Sequence, residues 1–552
     1  MKRHITPSRV QSEFAAGQLF NAGINLYDTV TVNENFFIGK QWEGVVSNGL
    51  PTPVFNFLKR VVLFSVANVS TDNIKLNARP LSSNGAIPTS TLELYSDILN
   101  EQFTEIFERN KMGGLIREFC RNAAVDGDGC MFTYWDPNVE TGQPSKGAIR
   151  TEVLQNTQVM FGNPNCRDVQ SQPYIIIERR MLVKEAKKYA KANGVGENEL
   201  AKITADTKEY GNVEIDELGG DKVTVLLRMW KDEKSGTVHC YECTSVAEVR
   251  KEWDLGIKLY PLVWMNWDYV QHNYHGQAMI TGLIPNQIFV NKLFALSMIS
   301  LMTLAYPKVL FDKTKIAKWS GKAGAAIGVN GNVSDVAKII DPAAVSPQIS
   351  QFIDLAISYT QKFLGASDVA LGDTRPDNTS AIIALQRAAA TPMELTKQNL
   401  LDCLEQLGDI YKEFEGEYYG TRYVEVKVPS LNEKIVVQFD FSTLKSVPCA
   451  IDIEAGAASY WSEIANMQTL DNLLMQGKIP TSEYLRRLPN GQITDREALI
   501  AITEAAERGV MLDPSALGGG GGKTETETPP LRGGSGYGAL QRKINQTGEV
   551  PR

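Results

Sequence analysis

From Leu293 to Pro307, between Lys292 and Lys308, the chain carries no charge, and this stretch limits what the rest can be. A helix that crosses a bilayer needs about 20 apolar residues, so the run falls short of a span. It is apolar on more than one face, unlike the single stripe of a surface helix. A segment of this kind needs neighbours on several sides. The helix-compatible pattern extends back to Gly276 and ends at Tyr306, with Pro285 placed near a first turn, where its missing N–H costs nothing. From Leu283 to Tyr306 such a helix measures roughly 35 Å at 1.5 Å per residue.

A chain of 552 residues is too long for one core and predicts several domains. On the N-terminal side, Val54–Val62 reads as a helix starting after Pro53, and Thr91–Val125 as a long helix weakened at Gly113-Gly114. Asp126-Gly127-Asp128-Gly129 ends that helix. Strands then dominate to about residue 270, among them Cys130–Trp135, Tyr174–Glu178, Val223–Trp230 and Leu262–Trp267, with a polar, helix-like insertion around 182–221. On the C-terminal side a Gly- and Lys-rich module precedes a second apolar helix with Ile349, Phe352, Ile353 and Leu355. A polar loop, Gly372–Asn378, leads into a long helix from Thr379 to Tyr418. Strands over 422–455 and helices from 458 to about 510 follow. From Leu517 the sequence is Gly-, Thr-, Glu- and Pro-rich and cannot bury enough surface to order itself. The chain is therefore expected to be α+β, multidomain and helix-rich.

The motifs that carry chemistry fade one by one. Cys240-Tyr241-Glu242-Cys243 has the spacing of half a zinc site, but no second cysteine pair exists and the segment alternates like a strand. His272 and His275 lack the Glu of a metalloprotease helix and read as a turn. Asp126–Gly129 lacks the third oxygen ligand and the closing Glu of a calcium loop. Gly522-Lys523-Thr524 lacks the first glycine of a phosphate loop, since position 517 is leucine, and Gly321-Lys322 is followed by Ala323 where a magnesium-holding hydroxyl is required. No Gly-x-Ser-x-Gly elbow occurs. The chain reads as non-enzymatic, with no catalytic residue, cofactor or metal. Seven scattered cysteines read as reduced thiols, and Met1–Pro7 has charge without the apolar run of a signal peptide.

The net charge of −8 argues against a surface that grips DNA broadly, because such grips work by neutralising phosphates. One region runs the other way. Lysines 308, 313, 315, 318, 322 and 338 outnumber Asp312 and Asp335 in the module after the apolar run. This is a solvated loop or a docking face for an acidic partner or passing DNA.

The order of these parts, with three local patterns, resembles the phage portal family over roughly residues 30 to 510. The patterns are Asn33–Trp42 with its aromatic-Gly-x-Gln-Trp ending, Tyr274-His275-Gly276-Gln277 with Ile284–Gln287, Asn291-Lys292 and Pro307-Lys308, and Asn378–Gln386. Family members often have Ser-Gly where this chain has Ser380-Ala381. The resemblance implies a wing over 1–270, a first stem helix over 271–306, a clip over 307–346 and a second stem helix over 347–366. It further implies a tunnel loop over 367–379, a wing helix with strands over 380–455, a helical crown over 456–516 and a disordered tail over 517–552.

The implied function is a homo-oligomeric ring, a dodecamer, at one capsid vertex of the virion, made in the host cytoplasm. It passes double-stranded DNA without sequence specificity during packaging and ejection. Its implied partners are the packaging terminase, the major capsid protein and neck or tail adaptors, with no membrane. Asp373, Thr374, Arg375 and Asn378 would face DNA from the tunnel loop, and Lys313, Lys315, Lys318 and Lys322 would dock the motor. Three rivals are another virion ring protein, a packaging ATPase-nuclease and a membrane-associated scaffold. The second lacks its phosphate loop, and the third lacks helix length.

Overall fold

The computed structural model describes residues 5–47, 49–70, 74–81, 88–206, 221–305, 309–316, 327–329, 332, 336–339, 348–363, 391–428, 433–455, 460–488, 496, 499, 500, 502 and 503. They are mixed helix and sheet and divide into two compact units, Met1–Ala458 and Ser459–Arg552.

In the first unit, α1 (Pro7–Gly23) starts where Thr6 Oγ1 accepts the Arg9 N–H and Pro7 brings no N–H to satisfy. Helix α2 (Leu26–Ile38) stops at Gly39, whose φ of +100° suits glycine. The helix expected directly after Pro53 begins later, as α3 (Phe57–Val69), because Asn56 Oδ1 caps the Lys59 N–H at 3.1 Å. Leu58, Val61, Val62, Val66 and Val69 are then buried at helical spacing. After β1 (Ile74–Pro80), the pattern over Thr91–Val125 resolves into two helices, α4 (Thr89–Asn110) and α5 (Met112–Asp126). The break is not at Gly113-Gly114. Lys111 makes it, in the left-handed conformation at φ +52° with its N–H on Glu108 O, and the glycines occupy the first turn of α5.

Two antiparallel sheets follow. β2 (Asp128–Asp136) and β3 (Ala148–Leu154) begin one. The other runs in the order β4 (Val159–Phe161), β5 (Ile175–Leu182), β6 (Lys222–Lys231), β7 (Val238–Cys243) and β8 (Glu248–Asp254), and β9 (Leu262–Asn266) returns to pair with β2. The five-stranded sheet is buried on both faces, and strand alternation divides its residues. Ile175, Ile177, Leu227, Met229 and Cys240 enter the main core, while Ile176, Leu226, Tyr241 and Cys243 lie under Val10 and Phe14 of α1. The polar insertion contributes α6 (Val183–Ala192) and α7 (Glu197–Lys202), which bury Ala186, Ala190 and Leu200 against Val223, Val225 and Val249.

Next come α8 (Met279–Ala305), β10 (Val309–Phe311), β11 (Ala337–Ile339) and α9 (Gln348–Phe363). The helix expected over Thr379–Tyr418 is shorter among the described residues. A 3-10 turn at Thr391–Met393 precedes α10 (Glu394–Phe414), and a π turn, Glu415–Tyr419, ends it; residues 379–390 lie outside the described ones. Pro392 explains the tight turn, since it cannot donate to a helical ladder. Hairpin β12 (Thr421–Val428) and β13 (Glu433–Asp440) leads to β14 (Cys449–Ala455), which pairs antiparallel with β1, Ile74 opposite Ala455. The main core joins α3, α4, α5, β2, β9 and α10.

In the second unit α11 (Tyr460–Met475) packs on α12 (Thr481–Arg487), and Tyr484 donates to Asp471 Oδ1 at 2.6 Å. The tail over 517–552 lies outside the described residues.

Candidate functional site

A stretch that reads as a plain turn meets, in the fold, one of the patterns that carry the family resemblance. Asp126–Gly129 carries the chain from α5 into β2, and Tyr274–Gly276 precedes α8. Asp128, fully buried, takes His275 Nδ1 on Oδ2 at 2.6 Å and the Gly276 N–H on Oδ1 at 2.7 Å. Asn266 Nδ2 donates to the same Oδ1 at 2.8 Å, and Asn156 Nδ2 to Oδ2 at 3.2 Å. On the other side of the imidazole, Nε2 lies 3.1 Å from Asn21 Oδ1, which also accepts from the Tyr274 hydroxyl. The backbones approach so closely that a Cβ on Gly127, at φ +101°, would come within 2.8 Å of Gly276 O. The residues that hold this network are 147 apart in sequence, so neither motif signals it alone. His275 and Asp128 are sealed from solvent, so the pair fixes a joint and is not placed to meet a substrate.

That joint is the root of α8. Asn33 adds a second tie, donating from Nδ2 to Val125 O at 2.8 Å and to Thr281 Oγ1 at 2.9 Å. A third joins the Asn33–Trp42 stretch to the Ile284–Lys292 stretch. Asn291 Nδ2 donates to Gln41 Oε1 at 2.6 Å, and Gln287 Nε2 donates to Phe55 O at 2.7 Å. Ile280, Leu283, Gln287, Val290 and Asn291 are buried, at spacings that trace one helix face. Pro285 stands inside α8 and not in its first turn, because the helix starts at Met279; it is exposed, opposite the anchored face.

Past Asn291 the environment changes while the composition does not. From Lys292 to Met302 no described side chain is buried, although all but Lys292, Ser297 and Ser300 are apolar. Leu296, Leu301 and Met302 are 56%, 56% and 55% exposed. Helix α9 packs beside α8, with Asn286 Nδ2 donating to Thr360 Oγ1 at 3.1 Å, and it leaves Phe352 and Leu355 exposed as well.

Between these helices β10 and β11 pair antiparallel, Val309 opposite Ile339. Asp312 turns the chain after β10, its Oδ1 taking the Thr314 hydroxyl at 2.5 Å and the Thr314 N–H at 2.9 Å. The Thr314 hydroxyl, followed by its N–H and Lys315, holds the Asp312 carboxyl below the usual range. Of the lysines singled out in the sequence, Lys313 is exposed and Lys315 sits 3.7 Å from Asp312, which offsets part of the local positive charge. Lys318 and Lys322 lie outside the described residues, as do Asp373, Thr374, Arg375 and Asn378.

Elsewhere, Cys240 and Cys243 are buried on β7, and burial pushes the Cys243 thiol up to about 12. Among the described residues no three His, Cys, Asp or Glu side chains are grouped to hold a metal, and no helix is long and apolar enough to cross a membrane.

A sequence profile described as phage P22-like portal protein matches residues 26–435. No curated protein matches the chain. The profile starts at the first residue of α2, takes in the buried joint, both apolar helices and the module between them, and ends in β13. A match over well over half of the sequence settles the family, one that is structural and not enzymatic and that serves phage capsids and DNA packaging: this chain is a member of the P22-like phage portal protein family.

Proposed function

We propose that the chain assembles head-to-tail into a dodecameric ring at one capsid vertex, with α8 and α9 as the stem around the DNA channel. The observation that carries this reading is the half-anchored helix. The first part of α8 is buried against its own chain, and the second part, equally apolar, still needs cover, since no side chain from Lys292 to Met302 is buried among the described residues. A ring supplies that cover, since each subunit offers one flank to each neighbour. Residues 307–346 form the clip that docks the packaging terminase through Lys313, Lys315, Lys318 and Lys322, and later the neck or tail adaptors. The wing, over 1–270 and 380–455, meets the major capsid protein, and residues 456–516 form the crown.

The loop over 367–379 projects toward double-stranded DNA, with Asp373, Thr374, Arg375 and Asn378 at the duplex. The overall charge of −8 supports sliding, because an acidic wall releases no counterions from the duplex and so does not trap it. The experiment is native mass measurement of the purified chain, with imaging of the large species. Closed rings with a central hole are expected, and a chain that stays monomeric at every concentration, with or without capsid protein, sinks the reading. Deleting residues 372–378 should leave rings intact and impair DNA packaging; normal packaging removes the assigned role of that loop.

A further inference from the structure

The segment between α2 and α3 carries an apolar surface of which the joint and the stem use only Phe55. Val45, Val46, Leu50, Val54 and Phe55 are all exposed, Val46 by 80%. From Gly44 to Asn56 the sequence has no charge. Scattered exposed aliphatics are ordinary on a protein surface, but five within eleven positions of one uncharged loop are not.

This loop is fastened. Trp42 Nε1 donates to Pro53 O at 2.9 Å, closing the loop across its base. Gln41 Nε2 donates to Phe36 O, and its Oε1 takes the Asn291 amide of α8. Gln287 of α8 holds Phe55 O, and the Phe55 ring stacks on Phe294 with centroids 3.9 Å apart. Pro51 and Pro53 remove backbone freedom between these ties. The loop thus carries an exposed apolar surface fastened to the side of α8. The Phe55–Phe294 stack makes its surface continuous with the exposed apolar flank of that helix.

We infer that residues 45–55 form an intersubunit knob that seats on the stem of the next copy of this chain. The inference rests on the ring reading above and names the contact that builds the ring. A head-to-tail ring joins two unlike patches of one subunit type. An uncharged knob needs an apolar counterpart, and the stem displays one. Rotation about a ring axis preserves height along that axis. A knob lying against residues 287–294 of its own α8 therefore meets its neighbour at that same level. There the chain exposes Phe289 and Leu296 on α8, and Leu355 on α9, the last brought level by the Asn286–Thr360 bond.

The test compares the wild-type chain with Val45→Asn/Val46→Asn/Leu50→Asn. The substitutions fall on exposed side chains, so the subunit should keep its circular dichroism and melting curve. Its concentration midpoint for ring formation should rise at least tenfold; a folded triple variant that forms rings at the wild-type midpoint overturns the knob. A second measurement reads the contact itself, in a Cys166→Ser background because the other six cysteines are buried. Chains carrying Val46→Cys and one tag are mixed with chains carrying Leu355→Cys and another, then treated with a short bis-maleimide. Mixed-tag dimers on a denaturing gel are expected, and their absence at concentrations where the chains associate overturns the knob. Should the wild-type chain form no ring, the ring reading fails, and the mixed-tag result still judges the knob separately.

Discussion

The two halves of α8 are alike in composition and opposite in circumstance. Up to Asn291 the helix is held by Asp128–His275 at its root, by Asn33 and by Gln41, and it buries Ile280, Leu283 and Val290. Beyond Lys292 it offers Leu296, Leu301 and Met302 to solvent. Apolar sequence therefore states only that surface must be covered; whether the cover comes from the same chain or from another is set by tertiary structure. The polar residues mark the border. Asn291 is the last side chain of α8 hydrogen-bonded to the segment between α2 and α3 among those described, and Lys292 is the only charge in the helix.

The largest expected effect comes from breaking the anchored half at its root. Asp128→Ala removes the acceptor of four donors and leaves His275, Asn266 and Asn156 buried beside a gap. A loss of about 3–5 kcal/mol of subunit stability is expected from urea unfolding. A loss below about 1 kcal/mol would show that the joint does not hold the helix.

The comparison itself is sharpened by a matched pair. Leu283→Ala, in the buried half, should cost about 2–5 kcal/mol of subunit stability. Leu301→Ser, in the exposed half, should move subunit stability by no more than about 0.5 kcal/mol and yet weaken ring formation. Equal unfolding losses for the two variants would erase the distinction between the halves.

A smaller effect is expected from pH. Burial pushes the Asp126 carboxyl up to about 7, with Glu34 and Asp128 adding to the shift and Arg121 opposing it. The folded chain then keeps a proton that the unfolded chain releases near pH ~3.9. Asp126 thus favours the folded state fully below that value, and the contribution falls away as pH rises toward 7, by at most about 1.4 kcal/mol per unit. Asp126→Asn should flatten the stability profile between about pH 4 and 7 and gain on the wild type at pH 8. An unchanged slope would mean that water reaches the carboxyl.

Much of the architecture was legible because it is local. Strands at Cys130–Trp135 and Val223–Trp230 and helices over 348–363 follow from residue periodicity, and the order of parts pointed to the family. The break in the α4–α5 pair was misplaced because glycine is the usual signal, whereas here Lys111 takes the left-handed conformation. The start of α3 was misplaced because a cap at Asn56 outweighs a nearby proline. The Asp128–His275 joint was illegible for a different reason. Its halves lie in separate elements, one reading as a plain turn and the other as part of a family pattern, and only tertiary contact shows that one neutralises the burial cost of the other.

The pairing of β1 with β14 bears on how the protein is made. About 370 residues separate Pro80 from its partner Cys449, so at about 5–20 residues per second a ribosome needs roughly 20–75 s to deliver the second strand after the first. Helix α4 can cover one side of β1 early, with Asn100 Oδ1 accepting the Ala78 N–H, but the edge that β14 later occupies stays open. Several chains growing on one messenger then display the same unpaired edge at once, a template for wrong partners. The timing of translation, and any chaperone that shields Ile74–Pro80, becomes part of what separates correct subunits from aggregates.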